Sequence, residues 1–173
     1  IQTDFGTSKP ESGINPNRAI AVRGESGSGK SSMLANLYSQ FLNDPGFDVF
    51  YRSVGVTNRS LELGNIIDDV IEYLLFLLKN IVDNKDNISI KTFFKDIRHP
   101  DTLKEKIKLM EELMNKYSIH SEKNLIIIID AINQFRAINE QNNIDWIPKT
   151  LPANINFIFS YIDDKIITNN DLI

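Results

Sequence analysis

Gly24-Glu25-Ser26-Gly27-Ser28-Gly29-Lys30-Ser31 is the stretch whose residue types and spacing prescribe a chemistry. It satisfies the pattern G-x-x-x-x-G-K-[ST] without a mismatch. The glycines let the backbone curl until successive N–H groups point inward at an anion, and a helix starting there adds the positive end of its dipole. Lys30 would then reach the β- and γ-phosphates, and the Ser31 hydroxyl would ligate Mg²⁺, with Ser32 beside it in the first helical turn. The chemistry is binding of a nucleoside triphosphate, ATP with Mg²⁺. The bland alternative is a Gly/Ser turn, or a loop of this kind that no longer binds.

A second candidate is Asp130, which closes the aliphatic run Leu125-Ile126-Ile127-Ile128-Ile129. Such a run reads as a central parallel strand buried on both faces. Ligands of parallel sheets sit beyond the carboxyl ends of the strands, so a carboxylate there faces the glycine loop and can hold the magnesium shell. The alternative is a helix N-cap, a position that Asp favours.

The elements that must position these groups follow from periodicity. Ala19-Ile20-Ala21-Val22, stopped by Gly24, reads as a short buried strand, and Met33, Leu34, Leu37, Tyr38 and Phe41 predict a helix ending near Asp44-Pro45-Gly46. Residues 48–54 predict a second strand. A long helix carrying Leu63, Ile66, Ile67, Val70, Ile71, Leu74, Leu75, Leu78 and Ile81 follows, then a polar turn over residues 83–87. A third helix starts at Asp101 or Thr102 with Leu103, Ile107, Met110, Met114 and Tyr117 on its buried side. Residues 143–146 predict a short helix stopped by Pro148, and residues 156–162 another strand. Strands alternating with helices define a three-layer α/β fold with a mostly parallel sheet.

The chain's 173 residues, 42% hydrophobic, suffice for one core and argue against a second domain. Residues 1–17 read as a polar approach segment and residues 18–173 as the domain. A net charge of -4 and an isoelectric point near 5.2, without a long Lys/Arg run, disfavour a general nucleic-acid binder. The absence of cysteine excludes thiolate and Cys–zinc chemistry and fits a cytoplasmic setting. His99 and His120 are too few for a metal centre. The stretch 66–82 is broken by Asp68, Asp69, Glu72 and Lys79 and cannot span a bilayer.

The chain resembles the NACHT class of STAND nucleoside triphosphatases, in the branch with telomerase-associated and nephrocystin-type proteins. The likeness runs from about Arg18 to Ile162 and rests on GESGSGKSSMLANLY at 24–38, VFYRSVGVTNRS at 49–60, LIIIIDAINQF at 125–135 and DWIPKTLPANINFIFS at 145–160. It implies an ATP-operated switch that controls closure or homo-oligomer assembly of a larger protein. It also implies that a further strand, a helical lid and a winged helix are missing here, because the chain ends soon after Ser160. The class carries acidic residues where this chain has Asn133 and Gln134. An amide orients water but cannot take its proton, so hydrolysis is expected to be slow. The resemblance makes Ser160 a candidate γ-phosphate sensor, against the reading of a strand-end hydrogen-bonder. Arg59 could approach the site or be a solvated surface residue.

Three rival readings stand beside the switch ATPase. One is a nucleotide-binding scaffold that never turns over. A GTPase would need Asn-Lys-x-Asp at a strand end, and Asn84-Lys85-Asp86-Asn87 lacks the final Asp. A small-molecule kinase would need a basic lid, and only Lys91, Lys95 and Arg98 are on offer.

Overall fold

A computed structural model describes residues 19–85, 94, 97–98, 100–136 and 144–162. Four strands, β1 (Ala19–Gly24), β2 (Phe47–Ser53), β3 (Asn124–Asp130) and β4 (Ile155–Ile162), form a sheet of order β1-β4-β3-β2 with every neighbouring pair parallel. Helix α1 (Lys30–Leu42) follows β1, α2 (Leu63–Lys85) follows β2, and α3 (Leu103–His120) precedes β3. The three-layer α/β fold is the one the alternation of elements predicts.

Alternation along the strands divides the core. On β3, Leu125, Ile127 and Ile129 face α2 and α3, whereas Ile126 and Ile128 join Leu34 of α1, Val49 of β2 and Ile158 of β4 on the opposite side. All five aliphatic residues of this strand are buried, which is why the run needs no polar interruption. Thr102 caps α3 through a reciprocal box, its hydroxyl accepting from the Glu105 N–H while the Glu105 carboxylate accepts from the Thr102 N–H at 3.0 Å. Those bonds to its charged form hold the Glu105 carboxyl below its usual pKa.

Four local expectations change. β1 is not a buried strand: it lies at a margin of the described sheet, hydrogen-bonded on one side only to β4, and Ile20 is 51% exposed. The polar turn over 83–87 gives way to helix as far as Lys85, because Val82 is still packed in the core; residues 86–87 lie outside the described residues. Instead of a short helix before Pro148 there is a hydrogen-bonded turn, the Ile147 N–H donating to the Ile144 carbonyl at 2.9 Å, with Trp146 set edge-on to Phe135 and Phe157. Leu103 opens α3 from its exposed side, at 43%. The N-terminal segment 1–17, His99, Lys91 and Lys95 fall outside the described residues.

Candidate functional site

The glycine loop is curled. The Ser28 N–H donates to the Glu25 carbonyl at 3.2 Å, and Gly27 (φ 77) and Gly29 (φ 86) adopt left-handed conformations that side chains resist. Helix α1 starts directly after Gly29, the Met33 N–H donating to the Gly29 carbonyl at 2.9 Å. No side chain caps this helix and its first turn holds no acidic residue, in contrast to the boxed start of α3. The Lys30 ammonium folds onto its own loop, donating to the carbonyls of Gly24 and Glu25, both at 2.7 Å, and to Ser28 Oγ at 3.3 Å. A cation thus sits at the focus of the loop, and its three donors are ones an incoming anion would compete for. Glu25, Ser26, Ser28, Ser31 and Ser32 are exposed around it.

Asp130 lies on the same side of the sheet as α1. The even-numbered positions of β3, Ile126 and Ile128, pack with Leu34, so Asp130 continues that row to the carboxyl end of the strand. Its carboxylate is 2% exposed and accepts three hydroxyl hydrogen bonds. From β4, Ser160 donates to Oδ1; from β2, Tyr51 and Ser53 approach Oδ2 at 3.4 and 3.5 Å. Ser160 is itself wholly buried and also accepts the Ala131 N–H at 2.8 Å. The single hydrogen of Ser160 therefore goes to Asp130 in this arrangement. Asp130 does not cap the short 3₁₀ turn Ile132–Gln134, whose cap position is Ala131 with no side-chain bond.

Tyr51 leans on α1, its ring 5.5 Å from that of Tyr38. Burial, and then the neighbouring Asp130 charge, push its phenol pKa up, so the hydroxyl keeps its proton further into the alkaline range than an ordinary tyrosine. Neither Tyr51 nor Ser53 was picked out from the sequence as a site residue. The signal was present: Val49, Tyr51 and Ser53 alternate along β2, placing two hydroxyls on the face of a buried valine at the strand's carboxyl end.

Beyond Asp130 the chain turns sharply. Ala131 has φ 61, a left-handed conformation that costs a residue with a Cβ about 1–2 kcal/mol. Asn133 and Gln134 are both engaged by neighbours. The Asn133 side-chain oxygen accepts the Ile162 N–H at 3.3 Å, and the Gln134 amide lies over Gly55, so close that a Cβ on Gly55 would fall 1.7 Å from its Oε1. Arg136 ties the same segment to the β2–α2 turn through its N–H to the Leu61 carbonyl, 2.8 Å. Arg59 is 62% exposed and pairs with Asp69 at 3.1 Å, a surface contact worth about 0–1 kcal/mol.

The fold and this loop define a three-layer α/β domain with a glycine-rich strand-to-helix turn and a buried carboxylate on the same side of the sheet. Among known proteins, the chain is 28% identical over 160 residues to NACHT and WD repeat domain-containing protein 2 of Mus musculus, covering 88% of this chain and 8% of that protein. It is 26% identical over 156 residues to telomerase protein component 1 of Mus musculus, covering 86% of this chain and 5% of that one. The chain therefore spans less than a tenth of the length of either relative. No family model matches it. The likeness supports a distant relationship to NACHT-domain proteins. Among the described residues no helix is long and apolar enough to cross a membrane.

Proposed function

We propose that the chain is the nucleotide-binding core of a switch-type P-loop ATPase module, holding ATP with Mg²⁺ on the loop from Gly24 to Ser32. The observation that carries the reading is the Lys30 ammonium focused on a curled, uncapped strand-to-helix turn, with Asp130 on the same side of the sheet. The backbone amides of the loop and of the first turn of α1 would bind phosphate oxygens, and Lys30 would exchange its loop carbonyls for them.

Magnesium suits the donors available. It takes hard oxygen ligands in small number, usually one or two from protein beside nucleotide oxygens and water, and Ser31 and Asp130 are of that kind. Once bound it neutralises charge between the β- and γ-phosphates. Asp130, already oriented by three hydroxyls, would accept from the cation's water shell. Ser160 would act through Asp130, keeping that carboxylate aligned.

Turnover is slow on this reading. Asn133 and Gln134 carry amides where a proton acceptor would serve; the Asn133 oxygen already accepts the Ile162 N–H, and the Gln134 amide packs over Gly55. The same observation favours a second reading, a scaffold that binds nucleotide without hydrolysing it. Control of homo-oligomer assembly in a larger protein rests on the NACHT resemblance alone.

The test is titration of labelled ATP and ADP, with Mg²⁺, against the chain and its Lys30→Ala variant. Affinity should drop by at least about tenfold in the variant, the scale of losing a charge-assisted phosphate contact. Equal affinities would overturn the site. GTP competing as well as ATP would redirect the base assignment.

A further inference from the structure

Asp130 accepts on both oxygens, but the two are held differently. Oδ1 faces Ser160, a buried residue whose hydroxyl is fixed on both sides, by Asp130 and by the Ala131 N–H. Oδ2 faces two hydroxyls of β2, both at the long end of hydrogen-bond distance, Tyr51 at 3.4 Å and Ser53 at 3.5 Å. A carboxylate offers about four acceptor positions, so three hydroxyls leave one for a further donor. The two β2 hydroxyls differ in how they are anchored. Ser53 ends its strand on a single rotatable hydroxyl, whereas the Tyr51 ring is set against Tyr38 of α1, the helix that begins at Lys30.

We infer that Tyr51 is a positioning residue for Asp130. Its hydroxyl fixes the rotation of the carboxylate from the β2 side, and its ring ties that orientation to the helix carrying Lys30 and Ser31. The inference rests on the reading of Asp130 as the carboxylate serving the magnesium shell. Ring contact alone would make Tyr51 a packing residue, which Tyr51→Phe preserves, so the hydroxyl is separable from the ring. An effect on packing would weaken nucleotide binding alike with and without the cation. An effect on the carboxylate would weaken only the cation-dependent part.

The experiment measures the affinity of labelled ATP for the chain, Tyr51→Phe and Asp130→Asn, each in excess Mg²⁺ and in EDTA, with thermal midpoints alongside. In Tyr51→Phe the ratio of the two affinities should shrink by about twofold to fivefold, the lower part of the range for loss of one hydrogen bond because the contact is long at 3.4 Å, with affinity in EDTA unchanged. In Asp130→Asn the ratio should shrink further. If Asp130→Asn reduces the ratio and Tyr51→Phe leaves it at the wild-type value, the positioning role is wrong and the parent reading survives. An Asp130→Asn ratio equal to wild type removes the parent reading, and this inference with it. A Tyr51→Phe loss of the same size with and without Mg²⁺ overturns the role in favour of packing.

Discussion

Deleting the Ser160 hydroxyl should destabilise the fold far more than deleting that of Ser53, although both touch the same carboxylate. Ser160 is wholly buried and satisfies two groups at once, donating to Asp130 and accepting the Ala131 N–H at 2.8 Å. A hydrogen bond to a charged group contributes about 1.5–3 kcal/mol, and a buried N–H left without a partner costs about 1–3 kcal/mol. Relaxation or an entering water would recover part of that, which puts Ser160→Ala at about 3 kcal/mol. Domains have only about 5–15 kcal/mol in total, so this is a large fraction, equivalent to a fall of about 6–12 °C in Tm for a chain of this size. Ser53 lies 3.5 Å from Oδ2 at a half-exposed strand end, and Ser53→Ala should cost less than about 1 kcal/mol. Urea unfolding followed by far-ultraviolet circular dichroism at neutral pH gives both values from midpoint and slope. Equal losses in the two variants, or a Ser160→Ala loss below about 1 kcal/mol, would refute the two-sided role of that hydroxyl.

Gly55→Ala should cost at least about 1–2 kcal/mol for its left-handed φ of 86, plus a clash with Gln134. Adding Gln134→Ala should restore only the clash, and strictly additive urea values would remove the contact from the account. Burial first, and then the Asp48 charge, push the Tyr73 phenol up to about 12, above the value near 10 of an unfolded chain. The folded state thus holds this proton longer, and the associated stability is complete below about pH 10 and lost as pH rises through about 12. Tyr73→Phe should flatten that decline in urea midpoints taken from about pH 9 to 12, and an unchanged slope would exclude Tyr73 as its source. Replacing Asn133 by Asp and Gln134 by Glu together should raise phosphate release, because each gives a carboxylate where an amide now stands; a single-turnover rate equal to that of the parent chain would count against slow hydrolysis arising at these positions.

What was legible in the sequence is what depends on neighbours along the chain. The glycine loop announces itself because eight consecutive residues determine its curl, and Asp130 because it ends five aliphatic residues whose burial on both faces allows little but a central strand. The start of α3 was bracketed at Asp101 or Thr102 from the run of apolar positions that follows Pro100, and the capping box that makes Thr102 the cap closes within four residues. Partners set by strand order were not legible. That β1 would lie at the margin of the described sheet, leaving Ile20 half exposed, follows from the insertion of β4 between β1 and β3, which no local pattern encodes. Alternation along β2 puts Tyr51 and Ser53 on one face, but their meeting with Asp130 depends on the β2–β3 register, which sets Ser53 opposite Asp130 across 77 residues of chain.

The same strand order bears on how the site can operate. With β4 between them, β1 and β3 stand two strand spacings apart, about 10 Å, so the glycine loop and Asp130 are offset laterally by roughly that distance where their strands end. The lysine answers its own loop and the carboxylate answers hydroxyls of its neighbouring strands, each group satisfied on its own side of the divide. On the proposed reading, a triphosphate with its cation is what joins the two halves. The joining strand would be β4, because Ser160 pairs in register with Val22 of β1 while its hydroxyl holds Asp130 of β3. A change at the phosphate end would then reach the segment after Asp130 through the Ala131 N–H and the β4 end that Asn133 fastens. That segment meets the exposed β2–α2 turn through Gln134 over Gly55 and the Arg136 N–H on the Leu61 carbonyl, so on the same proposed reading a nucleotide-dependent movement would have a defined outlet at the surface.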